Sequence, residues 1–293
     1  PIFLWNFKLI NNVSYGAVRM IKKITVFDFE EIEQNNLRNE YYDSGALIVR
    51  NLLAEKELEI IFQFLRKLLK LRYPKLHDSP DFGTSRSVSD QLMQAISIDN
   101  DAQRVIYDVM AKSAATHTVS TNSKILNVIK ILLSDTFTLH EKKLLLMSTP
   151  HETWHLAKWH QDFYYNGGSE NACTVYVPLQ KTDLSNGGLS IALGSHVYGQ
   201  LAHDSRYSNN KWNTISKDDV ETFSKICNIE MDKGDVLFLH SLVPHTANIN
   251  KSDQVRLVAN FRYQDLSNKA FIDDNWSIGD LSKARDALGR KND

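Results

Sequence analysis

The chain has 293 residues, of which 42% are apolar, 24% charged and 10% aromatic, a balance that excludes a disordered chain and allows one large domain with a sizeable core. Lys and Arg number 34 against 35 Asp and Glu, so the formal net charge is -1 and no basic field exists to recruit nucleic acid or an anionic membrane. Only Cys173 and Cys227 are present, which excludes a disulfide framework and a CxxC motif and fits a reducing cytoplasm.

In chain order, the apolar opening Pro1 to Ile10 is too short to span a bilayer and lacks the features of a secretory signal, so it is expected to pack onto the domain or to be an upstream extension. Leu58, Ile61, Leu65, Leu68 and Leu69 recur at three-and-four spacing, which predicts an amphipathic helix with one apolar stripe. The nearby run Lys67, Lys70, Arg72 and Lys75 reads as its solvated side, with a phosphorylated substrate as the sharper alternative. His77 to Ser89 is rich in Asp, Pro, Ser and Gly without a period, so it reads as a loop and a candidate lid. Helices are predicted over Asp101 to Thr116 and Asn122 to Leu133, the second gathering Ile125, Val128, Ile129 and Leu132 on one face.

From Lys143 onward the texture changes to short β-rich runs: Lys143 to Ser148, Cys173 to Leu179, Leu189 to Leu193, Asp235 to His240 and Val255 to Tyr263. Ser185-Asn186-Gly187-Gly188 and Lys233-Gly234-Asp235 are tight-turn signals between them. The expected fold is therefore mainly β with N-terminal helices, built on a double-stranded β-helix, the jelly roll of cupin-like proteins. With no repeat or linker in evidence, residues 1–293 read as a single domain: helical support and lid over 1–142, jelly-roll core over 143–264, and a C-terminal extension over 265–293.

The chemistry is concentrated in that core. In His160-Gln161-Asp162, residues i and i+2 of a strand point the same way and can bind one metal together, the middle position being free. A later β run, Gly234 to His240, is followed by His245, which supplies a third ligand, with His240 as its competitor five residues earlier. Two imidazoles and one carboxylate on one face of iron(II) form the oxygenase facial triad, with open positions for 2-oxoglutarate and O2. The far carboxylate of 2-oxoglutarate calls for a guanidinium; Arg256 stands on the next β run, and Arg262 rivals it because a six-residue offset keeps both on one strand face. The alternative role of Arg262 is an ion pair or a substrate contact.

Two other motifs compete. His151-Glu152-Thr153-Trp154-His155 fits the His-Glu-x-x-His pattern of a zinc metallopeptidase, which needs both histidines one turn apart on a helix, yet the segment follows Ser148-Thr149-Pro150 and runs into β-like sequence. Gly194-Ser195-His196 lacks the elbow of a nucleophilic serine and reads as a turn. A non-catalytic cupin-like binding module is the remaining alternative, disfavoured because every ligand position is filled by a functional residue type.

Trp159-His160-Gln161-Asp162, Asn186-Gly187-Gly188-Leu189, Gly194-Ser195-His196, Gly234-Asp235 and His240 to His245, continuing to Arg256 and Phe261-Arg262-Tyr263-Gln264, resemble the phytanoyl-CoA dioxygenase family in order and spacing over about Lys143 to Gln264. The resemblance implies that His160, Asp162 and His245 ligate Fe(II), that Arg256 binds 2-oxoglutarate and that Tyr176 lies near the cosubstrate, which leaves His240 a structural or supporting role. Leu193, in place of the usual proline, and Ala247, where some members have serine, depart from the pattern. The implied activity is a hydroxylase that releases succinate and CO2, with ascorbate as a reductant. Asp162 argues against halogenation, since halogenating relatives have a small residue there. Gln200 to Trp212 is a second candidate lid.

Overall fold

The computed structural model describes residues 23–31, 33–76, 85–141, 143–153, 156–204, 213–223 and 226–277. The calls on Pro1 to Ile10 and on most of the C-terminal extension lie outside these residues. Among the described residues no helix is long and apolar enough to cross a membrane.

The described residues begin with β1 (Thr25–Asp28), α1 (Gln34–Ser44) and β2 (Ala46–Arg50), then run through α2 (Glu55–Arg72), α3 (Ser85–Ile98), α4 (Ala102–Ala111), α5 (Ala114–Ser120) and α6 (Ser123–Leu132). Helix α2 buries Leu58, Ile61, Phe62, Leu65 and Leu69, the stripe expected from the spacing. Over 101–116 two helices replace one, because Ser113 leaves helical backbone geometry and its hydroxyl accepts the Thr116 N–H as the cap of α5. Residues 85–89, expected in a loop, form the first turns of α3 with Ser87, Val88 and Ser89 buried; residues 77–84 lie outside the described set.

The second half adds β3 (Phe137–Leu139), β4 (Leu144–Ser148), α7 (Asp162–Asn166), β5 (Ala172–Pro178), β6 (Leu189–Ala192), α8 (Lys217–Phe223), β7 (Ile226–Asn228), β8 (Val236–His240), β9 (His245–Ala247), β10 (Arg256–Asp265) and α9 (Lys269–Asp273). The larger sheet has the order β1-β2-β8-β5-β10-β3, with β4 also paired to β10; the smaller has the order β7-β6-β9. The N-terminal half is thus not purely helical. Ala46-Leu47-Ile48-Val49 is buried throughout and pairs with β8, and a run covered on both faces carries no alternation to read.

Alternate residues of the large sheet serve two cores. Val49, Val175, Phe238, Leu257 and Phe261 pack with the helices, including Leu58, Ile61 and Ile129. Ile48, Tyr176, Leu237 and Val258 face the other way, onto Leu189 and Ile191 of the small sheet. The helices therefore brace the outer face, and the inner face, carrying the even-numbered residues of β10, is left to line a site between the sheets. This mixed sheet with its helical layer is consistent with a cupin-like jelly-roll core.

Candidate metal centre

His245 is the first residue of β9 at the edge of the small sheet, and His160 joins it there by one antiparallel bridge. The His160 N–H donates to the His245 carbonyl at 3.0 Å, and the His245 N–H to the His160 carbonyl at 2.9 Å. The bridge leaves the ring centroids 4.2 Å apart. Each ring is then fixed by its own chain: Nδ1 of His160 lies 2.7 Å from the Lys158 carbonyl and Nδ1 of His245 3.0 Å from the Val243 carbonyl. A ring nitrogen against a carbonyl carries the proton, so each Nε2 keeps its lone pair for a metal.

Asp162 does not share a strand with His160. The extended segment ends at Gln161, the N-cap of α7, and Asp162 is the first residue of the helix. The middle position is far from free. Gln161 is fully buried; its amide donates to the carbonyls of Gly199 at 2.9 Å and Leu242 at 2.7 Å, its side-chain oxygen accepts the Leu201 N–H at 2.8 Å, and its own N–H donates to Nε2 of His203 at 3.1 Å. These bonds tie the turn between the two candidate ligands to two other segments, 199–203 and the stretch around Leu242, which sets the Asp162 side chain beside the histidines without a strand.

The Asp162 carboxylate accepts Nη2 of Arg262 at 3.0 Å on Oδ1 and the Thr174 hydroxyl at 2.5 Å on Oδ2. Burial by itself raises its pKa, but Arg262, the two histidines and the Thr174 hydrogen bond outweigh that and hold the carboxyl well below the usual range. Burial, with His245 close by, pushes the pKa of His160 down to about 3, so the ring is neutral. Neutral imidazole and ionised carboxylate are the states a metal requires. The ligand atoms of His160, Asp162 and His245 all lie within 4.8 Å of one another, and the three form the one such group among the described residues. Two nitrogens and one carboxylate suit the facial triad of a non-haem iron centre.

Arg256 opens β10 on the inner face and is 4% exposed. It donates to the hydroxyl of Tyr176, its Nε has no partner, and no acidic side chain among the described residues pairs with it. A buried guanidinium without an anion is costly, and these residues fit an arriving carboxylate.

The sequence pattern of the phytanoyl-CoA dioxygenase family matches residues 41–258, a span that holds His160, Asp162, His245 and Arg256. The chain belongs to the phytanoyl-CoA dioxygenase family. A 1-deoxypentalenic acid 11-beta-hydroxylase of Streptomyces exfoliatus is 30% identical over 101 residues, which are 33% of this chain and 36% of that protein, so the match spans about a third of the relative's length. The epimerase SnoN, solved with Fe3+, alpha ketoglutarate and nogalamycin RO, is similar at a TM-score of 0.55 and 18% identity over 79% of this chain and 83% of that one. The apo form of the non-heme monooxygenase ThoJ is similar at 0.54 and 18% identity over 78% of this chain and 77% of the other. At such identities the two structures speak for the fold.

Within this family member, the competing residues fall elsewhere. His240 ends β8 next to His196 and Tyr41, with ring centroids 5.1 and 5.6 Å away, and its Nδ1 accepts the Leu242 N–H at 3.2 Å, a structural setting apart from the His160 and His245 pair. Arg262 shares the inner face of β10 with Arg256, as the six-residue offset requires, and forms an ion pair, the partner being Asp162 itself. His151 to Thr153 are not helical and His151 has a positive φ of 60°, so the peptidase helix does not form around them; Trp154 and His155 lie outside the described residues. Gly194 ends a turn and Ser195 and His196 open a short 3-10 helix, Ser195–Tyr198, with the Ser195 hydroxyl donating to the Ala192 carbonyl at 2.7 Å. Thr174, Gln161 and His203 were not singled out in the sequence; a threonine on a strand and a residue between two ligands carry no signal of their own.

Proposed function

We propose that the protein is an Fe(II)- and 2-oxoglutarate-dependent dioxygenase that hydroxylates a small molecule, with release of succinate and CO2. The observation that carries this reading is the pairing of the His160, Asp162 and His245 group with a buried, anion-free guanidinium at Arg256, both served by the inner layer between the sheets. His160 and His245 would hold the metal through Nε2 and Asp162 through a carboxylate oxygen. Arg256 would grip the far carboxylate of 2-oxoglutarate, and the Tyr176 hydroxyl already holds that guanidinium in place. When bound, iron, 2-oxoglutarate and O2 supply the oxidising chemistry, and the protein's own task is placement and exclusion of water.

The described part of the Gln200 to Trp212 segment supports a covering role: Leu201 and His203 bond to Gln161, and the His203 ring stacks on Tyr164 at 4.0 Å. Tyr165 stands edge-on to His160, with 5.7 Å between centroids, and closes that side. We read the described residues as one oxygenase domain, with the double-stranded β-helix as its core and the N-terminal helices as its brace. Succinate production from 2-oxoglutarate, screened across a metabolite library with Fe(II) and ascorbate, tests the proposal. Substrate-dependent succinate bears it out; Fe(II)-independent hydrolysis of peptides would replace it.

A further inference from the structure

The Arg262–Asp162 ion pair has no role in the reading above, and its geometry is specific. Arg262 and Thr174 are direct cross-strand partners in the β10–β5 ladder, both on the inner face. From these paired positions their side chains end on opposite oxygens of one carboxylate: Arg262 reaches Oδ1 through Nη2 at 3.0 Å and Nε at 3.4 Å, and Thr174 reaches Oδ2 at 2.5 Å. Asn166, one turn further along α7, adds a 3.4 Å contact to Oδ1 and a firmer 2.8 Å bond to the Asp162 carbonyl. The pair is buried, with side chains 13% and 6% exposed for Arg262 and Asp162.

Asp162 needs such support more than the histidines do. Both histidines sit in a β-bridge with rings pinned by their own backbone carbonyls, whereas Asp162 starts a five-residue helix just after the chain has left the sheet. Within that helix the carboxylate meets only the 3.4 Å contact from Asn166; the firmer bonds come from the sheet on the other side. Oδ1 is taken up by Arg262 and Asn166, whereas Oδ2 accepts only the Thr174 hydroxyl and keeps a second lone pair for a metal.

We propose that Arg262 is a positioning residue of the metal centre: with Thr174 it aims the Asp162 carboxylate at His160 and His245, so that β10 serves the centre twice, through Arg256 for the cosubstrate and through Arg262 for the metal ligand. This rests on the reading of Asp162 as a ligand. The competing account is that Arg262 merely neutralises Asp162 in the metal-free protein and is displaced when the ion arrives. The two accounts differ in sign. A positioning residue raises metal affinity, whereas a placeholder competes with the metal and lowers it.

Mn(II) dissociation constants of the full chain, measured by calorimetry and by the paramagnetic resonance of free Mn(II), separate them. Arg262→Gln should weaken Mn(II) by about 10- to 100-fold, the range usual when a ligand's supporting partner is lost. Arg262→Lys should recover part of the loss, since it keeps the charge without the fork. Thr174→Val should weaken Mn(II) in the same direction, and it carries the test by the same criterion if Arg262→Gln does not fold, as judged by thermal unfolding without metal. Arg66→Gln, which removes a similarly buried arginine from its ion pair with Glu59 on α2, should leave Mn(II) binding unchanged. Unchanged or tighter Mn(II) binding in Arg262→Gln would overturn the proposal, provided His160→Ala abolishes binding. If His160→Ala also binds normally, the ligand assignment fails instead.

Discussion

The rings of His160 and His245 lie 4.2 Å apart because the two residues exchange both backbone hydrogen bonds, so the candidate metal site is fastened by the same pairing that extends the small sheet. Substitution at either position should therefore abolish metal binding. His160→Ala and His245→Ala are expected to hold less than a tenth of the parent's iron or manganese, while His240→Ala, His151→Ala and Glu152→Ala keep it, a difference that metal analysis of the purified variants reads directly. Loss of metal in Glu152→Ala, with retention in His160→Ala, would return the peptidase reading.

Arg256→Ala should weaken 2-oxoglutarate and spare the metal. Losing a charge-assisted contact costs about 1.5–3 kcal/mol, which is roughly a 10- to 200-fold loss of affinity. Arg256→Lys should recover only part of it, because an ammonium cannot reproduce two parallel hydrogen bonds. Titration of 2-oxoglutarate into Mn(II)-saturated variants measures both, and Arg262→Ala at saturating Mn(II) should stay near the parent. The opposite pattern would move the cosubstrate from Arg256 to Arg262.

Retention of a carboxylate at Asp162 predicts hydroxylation with no chlorination. Once a substrate is found, mass spectrometry of product formed in chloride-containing buffer should show added oxygen only. A chlorinated product would overturn this prediction.

A further prediction concerns pH. Burial, with His196 alongside, pushes the pKa of His240 down to about 3, below the ordinary value of 6.5. The unfolded chain then binds the proton more readily than the folded one below pH 6.5, so the stabilisation is complete above 6.5 and is lost as the pH falls towards 3. Between pH 7.5 and pH 5 this single group should cost about 2 kcal/mol of stability. Thermal unfolding of metal-free protein across that range should show the loss, and His240→Gln should show a shallower one. An equal slope in both proteins would reject His240 as its source.

The strands of the second half were legible as short β-rich runs set off by turn residues, such as Asn186-Gly187-Gly188 before β6 and Gly234 before β8. Strand β2 was not, since burial on both faces erases alternation. The His160, Asp162 and His245 set was visible as residue types, but the reasoning that placed Asp162 on a strand fails at Gln161, where the extended backbone ends and α7 begins. Gln161 looks like a spacer because satisfying four hydrogen bonds depends on Gly199, Leu201, His203 and Leu242, none of them close in sequence. The Arg262 and Thr174 partnership depends on the β10–β5 register, which a single strand does not state.

The most direct test of the central claim is the linkage between metal and cosubstrate in one calorimetric experiment: 2-oxoglutarate titrated into the protein with and without Mn(II), without oxygen, for the parent and for His160→Ala. Binding should be strong with Mn(II), at least tenfold weaker without it, and at that weaker level in His160→Ala under both conditions. Equal binding with and without Mn(II), or normal Mn(II)-dependent binding in His160→Ala, would contradict a metal-centred 2-oxoglutarate site at His160, Asp162 and His245.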